Sequence, residues 1–238
     1  MVDYSEWLHR ADVFARSVGV LPGRVGMEVD FLPPLDVADA SHLNATLPHG
    51  LPAALRDFYV SASAGGRCTF RWTPNESDLE LIAKLVPHNY TIQGGPWIFW
   101  AINLEGEHQG FVDWAEVLDE LGGYGPAAAK TLRECVPLSK IGNGDYLALH
   151  AKAGSDRVPV IYIDHEADLE LQSPIIPLSE SLEQFFTTWE RIGYIGPEIW
   201  LLNPFLRDSK TGLLDANCPL AIRWRTLLRS FGLPIGND

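Results

Sequence analysis

The side chains best suited to chemistry lie in two short runs. IGNGD, residues 141–145, ends on Asp145, and VPVIYIDHE, residues 158–166, ends on Asp164, His165 and Glu166. A carboxylate beside an imidazole can act as a general base. The same groups are zinc ligands, and two carboxylates astride a sugar linkage hydrolyse it. Each chemistry depends on where the chain directs these side chains. If the second run stays extended to its last residues, the two-residue period sends Asp164 and His165 to opposite faces of a sheet, and the two make no dyad. Consecutive ligands on an extended chain also diverge, and neither a His-x-His nor an i,i+4 helical pair is available for a metal. No Gly-x-Ser-x-Gly elbow, P-loop or dinucleotide fingerprint follows any strand-like run. On this reading Asp145 is a turn residue bonding local backbone amides, and His165 is a polar strand end. The expectation is a chain with no catalytic residue, no metal and no cofactor; a hydrolase using sheet carboxylates is the least favoured reading.

The elements that would position these residues are legible from spacing. The runs 134–141 and 146–151 read as strands joined through Gly142, Asn143, Gly144 and Asp145. Asn-Gly signals a hairpin in which both residues take positive φ. A second turn near Gly154 leads into 158–166, so the middle of the chain predicts an antiparallel meander. Further strands are expected over 67–72 and 97–103, rich in aromatic and branched residues. Helical spacing of Trp7, Ala11, Phe14 and Val18 predicts a helix stopped by Gly19. Another helix is expected in LPAALRDFYVSASAGG, with Pro52 in its first turn, Leu55, Phe58, Tyr59 and Ala62 on one face, and Gly65 and Gly66 at its end. Residues 25–44, with Pro33 and Pro34, read as an extended connection. GFVDWAEVLDELGG turns Phe111, Trp114, Val117, Leu118 and Leu121 inward and stacks Asp113, Glu116 and Glu120 in an acidic stripe. Ser181 with Gln184 makes a capping box ahead of an apolar face of Leu182, Phe185, Phe186, Trp189 and Ile192. A last helix carries Leu220, Trp224, Leu227, Leu228 and Phe231. Strands followed by helices give an α+β arrangement, an antiparallel meander packed by helices from both ends of the chain. It divides into an N-terminal helix and connection over 1–46, a core over 47–193 and a C-terminal helical extension over 194–238, all in one structural domain.

Composition narrows the function class. The chain has 238 residues, 46% of them hydrophobic, and a formal charge of −13. That charge repels phosphate backbones and attracts basic proteins, so nucleic acid is disfavoured as a partner. No run approaches the roughly 20 apolar residues of a membrane span, and the opening MVDYSEWLHRADVF has no apolar core of a secretory signal; the expected compartment is the cytoplasm. Cys68, Cys135 and Cys218 are too far apart for zinc or redox motifs and read as reduced and buried. The sequons at Asn44, Asn75 and Asn89 need a secretory route that the N-terminus does not suggest.

LPAALRDFYVSASAGG, VPLSKIGNGDYLALH, VPVIYIDHE and SLEQFFTTW, in this order, resemble the SUKH superfamily over roughly residues 50 to 190. Gly144 and Asp145 match its GD hairpin, Val160 to His165 its strand ending in D-H, and Ser181 to Phe185 its helix start, with Leu182 where an aromatic residue is common. The superfamily includes bacterial immunity proteins that neutralise toxins of polymorphic systems and fungal regulators of cell-wall synthesis. The resemblance implies a non-enzymatic binding protein, first an immunity protein for a cognate toxin and alternatively a regulatory scaffold. An acidic surface fits a basic toxin, and Asp113, Glu116, Glu120, Asp164 and Glu166 are the candidate contacts.

Overall fold

The computed structural model describes residues 2–47, 49–85, 98–104, 116, 118–119, 126–141, 143–151, 157–165, 175–208 and 212–236. The fold is α+β. Helix α1 (Tyr4–Val18) is capped by the Asp3 side chain, which accepts from the Glu6 N–H, and it ends at Gly19. It buries Trp7, Ala11, Phe14 and Val18, the face expected from their spacing. Strand β1 (Arg24–Phe31) follows, then helix α2 (Val37–Thr46), started by the Asp36 side chain. Residues 25–44 are therefore not one connection. The two prolines separate a paired strand from a helix whose shallow apolar face, Ala40 and Leu43, gives little periodic signal.

Helix α3 (Ala53–Ser61) buries Leu55, Phe58 and Tyr59 and stops before the two glycines. Ala64 instead sends its N–H to Pro33, and Gly66 opens strand β2 (Gly66–Thr73). There Gly66, at φ +133, leaves no room for a side chain, since a Cβ would lie 2.3 Å from the Asp30 carbonyl oxygen. Helix α4 (Glu76–Leu85) precedes strand β3 (Ile98–Leu104). Strands β1, β2 and β3 form an antiparallel sheet in that order. Helix α5 (Pro126–Arg133) leads into a second antiparallel sheet, β4 (Cys135–Lys140), β5 (Tyr146–His150), β6 (Val160–Ile163) and β7 (Ile175–Ser179), again in chain order. β3 comes against β4. The chain ends in helices α6 (Leu182–Arg191), α7 (Ile199–Leu202) and α8 (Pro219–Ser230).

The second sheet is covered on both faces. Val136, Leu138, Leu147, Leu149, Val160 and Tyr162 enter the main core, which runs from Tyr4 to Ile235 and includes the apolar faces of α1, α3, α6 and α8. The alternate residues Cys135, Tyr146, Ala148, Ile161 and Ile163 pack with Ala129 and Leu132 of α5 and with Leu118. Every position of β6 is buried, which is why its sequence is apolar throughout although its side chains alternate. α1 reaches α6 at the centre: Trp7 stacks on Phe186 with ring centroids 4.0 Å apart, and the Trp7 indole N–H donates to the Phe186 carbonyl. Such a pair is worth about 0.5–1.5 kcal/mol beyond the area it buries. Arg10 grips Glu190 through two hydrogen bonds of 2.7 and 3.0 Å.

Among the described residues no helix is long and apolar enough to cross a membrane. The three cysteines are unpaired; Cys68 and Cys135 are buried, but Cys218 is only half-buried. Cys218 occupies the cap of α8, where its sulfur accepts from the Ala221 N–H.

Candidate functional site

The hairpin between β4 and β5 closes through two backbone bonds, Gly144 N–H to the Ile141 carbonyl and Ile141 N–H to the Asp145 carbonyl. Gly144 has φ +103, as its place in the hairpin requires. Asn143 is not in the positive-φ region: among the described non-glycine residues only Tyr194 is. Of the Asn-Gly pair only Gly144 is left-handed, as in a turn followed by a glycine bulge and not in the two-residue turn that Asn-Gly suggests. Gly142 lies outside the described residues.

Asp145 is 3% exposed and is the hub of the site. Its Oδ1 accepts from the His165 backbone N–H at 2.9 Å and from His165 Nδ1 at 2.7 Å. Its Oδ2 accepts from Asn143 Nδ2 at 2.6 Å and from the Tyr162 hydroxyl, and Asn143 Oδ1 takes the Asp145 N–H. An ionised carboxylate offers about four acceptor positions, and here four donors occupy them. Burial pushes the Asp145 carboxyl up, but the bonds from Tyr162, His165 and Asn143 outweigh it and hold the group below its ordinary range. Tyr162 is pushed the other way, chiefly by burial and then by its bond to Asp145, against a smaller opposing pull from the Ile199 backbone at the start of α7.

This corrects two expectations. The Asp145 carboxylate does not bond local backbone amides; its backbone donor is His165, beyond the end of the neighbouring strand. Nor do Asp164 and His165 diverge, because β6 ends at Ile163 and the alternation ends with it. His165 lies in a turn that folds its ring back over Gly144 and onto Asp145. One ligand atom each of Asp145, Asp164 and His165 lies within 4.8 Å of the others, a grouping the extended reading excludes. It is poorly suited to a cation all the same, since the Asp145 oxygens are taken up by donors inside the protein.

Tyr162 is the participant that sequence reasoning missed as a site residue. The register supplies the signal: Tyr146 pairs with Ile163 and Leu147 with Tyr162, so Asp145 projects to the Tyr162 side of the sheet, one diagonal step away. A buried tyrosine hydroxyl needs a partner, and the nearest polar residue on that side is Asp145.

Of the expected partner contacts, Glu116 is helical and exposed, and Asp164 is half-buried beside Asp145. Asp113, Glu120 and Glu166 lie outside the described residues. Ser181 caps α6 as expected, accepting from the Gln184 N–H at 3.1 Å. Gln184 reaches back to the Glu180 N–H instead of the Ser181 N–H, so the capping box is shifted by one residue. Trp189 is buried and donates to the Ile195 carbonyl at 2.7 Å.

A second feature went unforeseen. A cleft of about 1040 Å³ opens where the N-terminal ends of α1 and α6 meet α3. Its lining holds Asp3, Asp57, Glu180 and Glu183 against one basic residue, Arg157. These acids are scattered over about 180 positions of sequence and come to one cleft only through the packing of α1, α3 and α6.

Comparison of the chain with family models, curated proteins and solved structures finds no match.

Proposed function

We propose that this chain is a non-enzymatic binding protein of the SUKH kind, an immunity protein that neutralises a basic bacterial toxin by direct association. The observation that carries the reading is the meeting of Gly144, Asp145 and His165. These are the GD hairpin and D-H strand end on which the resemblance rests, and they form one contact with Asp145 at its centre. The carboxylate is spent on holding the hairpin to Tyr162 of the next strand and to His165 beyond it, a structural task, and this favours binding over catalysis as the role of the fold. The formal charge of −13 fits a basic partner, because charge complementarity speeds encounter and helps to select the partner.

The test is co-expression with the product of each adjacent gene in a sensitive bacterial host. The expected result is rescue of growth by one pairing and a stable complex of the two purified proteins, with an association rate that falls as salt rises. If no neighbouring product is toxic, or a toxic one kills equally with this protein present, the immunity reading is wrong.

A further inference from the structure

We propose that the cleft between α1, α3 and α6 receives lysine or arginine side chains from a loop of the protein partner, held by the Tyr4 hydroxyl and the carboxylates of Asp57 and Glu183. The inference rests on the reading above only in taking the partner to be a basic protein.

Acidic side chains on a surface are ordinary; Tyr4 is what singles out this cleft. The residue lines it and is 6% exposed. Its ring is wedged edge-on between Phe58 of α3, at 5.6 Å, and Phe186 of α6, at 6.0 Å. Its hydroxyl has no hydrogen-bond partner among the described residues and keeps the side chain's small exposure, so the one polar atom of an otherwise buried residue opens into the cleft. Burial and the nearby charges of Glu183 and Asp57 all favour the protonated phenol. The two carboxylates belong to different helices, α6 and α3, and with the hydroxyl they line one cleft, where a cation could meet all three groups.

The acids have little else to bind. Glu183 accepts one long bond of 3.4 Å from the Val2 N–H. Among the described residues Asp57 is paired only with its exposed sequence neighbour Arg56, at 3.8 Å. The N-terminal ends of α1 and α6 open here too and bring together roughly one positive charge. Against four carboxylates and one arginine the cleft stays net negative. Its other walls are apolar, Ala54, Val60 and Leu182 among them, and suit the methylene stem of a long cationic side chain better than a hydrated metal ion. The volume is at the top of the range for small-ligand pockets, about 300–1,000 Å³, enough for a loop carrying more than one such side chain.

The experiment uses the full chain and two probes, the peptide acetyl-GKGRGKG-amide and spermine, titrated by calorimetry at low salt. The variants are Asp57→Asn with Glu183→Gln, Tyr4→Phe, and a control, Glu76→Gln with Glu80→Gln, which removes the same charge from exposed positions of α4 outside the cleft, each checked by thermal melting. Tyr4→Phe keeps both ring contacts, so it removes the hydroxyl without opening the core. We expect the peptide to bind the wild type, the double amide variant of the cleft to bind about tenfold more weakly and Tyr4→Phe about threefold more weakly, with the α4 control changed less than about twofold. No binding to the wild type, equal weakening by the α4 control, or spermine binding at least as tightly with the same variant dependence would each overturn the proposal. Cleft variants that lose the peptide but still neutralise a toxin would overturn the cleft while leaving the immunity reading in place. Peptide binding with the expected variant pattern, but no toxin neutralised, would do the reverse.

Discussion

Replacing Asp145 by Asn tests the central contact of the fold with almost no change in shape. The amide keeps one oxygen, which can still accept from the His165 N–H and Nδ1, now 2.9 and 2.7 Å away. Its NH2 group then faces two donors, the Tyr162 hydroxyl and Asn143 Nδ2. Asn143 is exposed and turns to water, but Tyr162 is fully buried. Two hydrogen bonds are lost at about 1 kcal/mol each, and a buried donor left unpaired adds about 1–3 kcal/mol. The total is about 2–4 kcal/mol after the amide relaxes, which for a chain of this size lowers the melting temperature by about 5–15 °C. Circular dichroism melts at pH 7 measure it. Acid supplies a second signature, because the folded Asp145 carboxyl lies below its ordinary value of 3.8. A depressed carboxyl contributes stability that is full above the unfolded value and is lost as pH falls through the folded one. The wild type and Asp145→Asn should therefore differ most near neutrality and converge below pH 3.8. Equal melting temperatures at pH 7, or a gap that persists unchanged into acid, would refute the reasoning.

Gly144→Val should cost about 1–3 kcal/mol: the position has φ +103, and a Cβ there would press on the His165 ring at 3.2 Å; a normal melting curve would contradict it. Ser181→Ala should cost about 0.5–2 kcal/mol by removing the cap of α6, read from denaturant midpoints. Added zinc should leave the wild-type melting temperature unchanged, because four donors already occupy the Asp145 oxygens; a rise lost in His165→Ala would show a metal site.

The core helices were legible in the sequence because their apolar residues repeat on one face and are buried on that face: Trp7, Ala11 and Phe14 in α1, Phe185, Phe186 and Trp189 in α6. The meander was legible for the same kind of reason, with β-branched runs broken by glycine. What failed was the reach of local rules past an element's end. Alternation applies to Val160–Ile163 and says nothing of His165, which a turn redirects to Asp145. The helix α2 was hidden by its mixture of small and polar residues, and β7, IIPLS, by the proline in its centre. The cleft had no local signal at all, since Asp3, Asp57 and Glu183 meet only after three helices pack.

The union of Trp7 with Phe186 spans 179 residues of sequence, and it has a consequence for synthesis. At about 5–20 residues per second a ribosome takes roughly 10–35 s to deliver the second ring after the first. For that interval Trp7 lacks the ring that finally covers it, although Phe14 and Tyr4 of the same helix meet Phe70 and Phe58 much sooner. The newborn chain thus leaves Trp7 uncovered where the finished protein hides it, and α1 is only half seated until α6 arrives. A nascent chain arrested before α6 emerges should be more accessible to protease at α1 than one released after it.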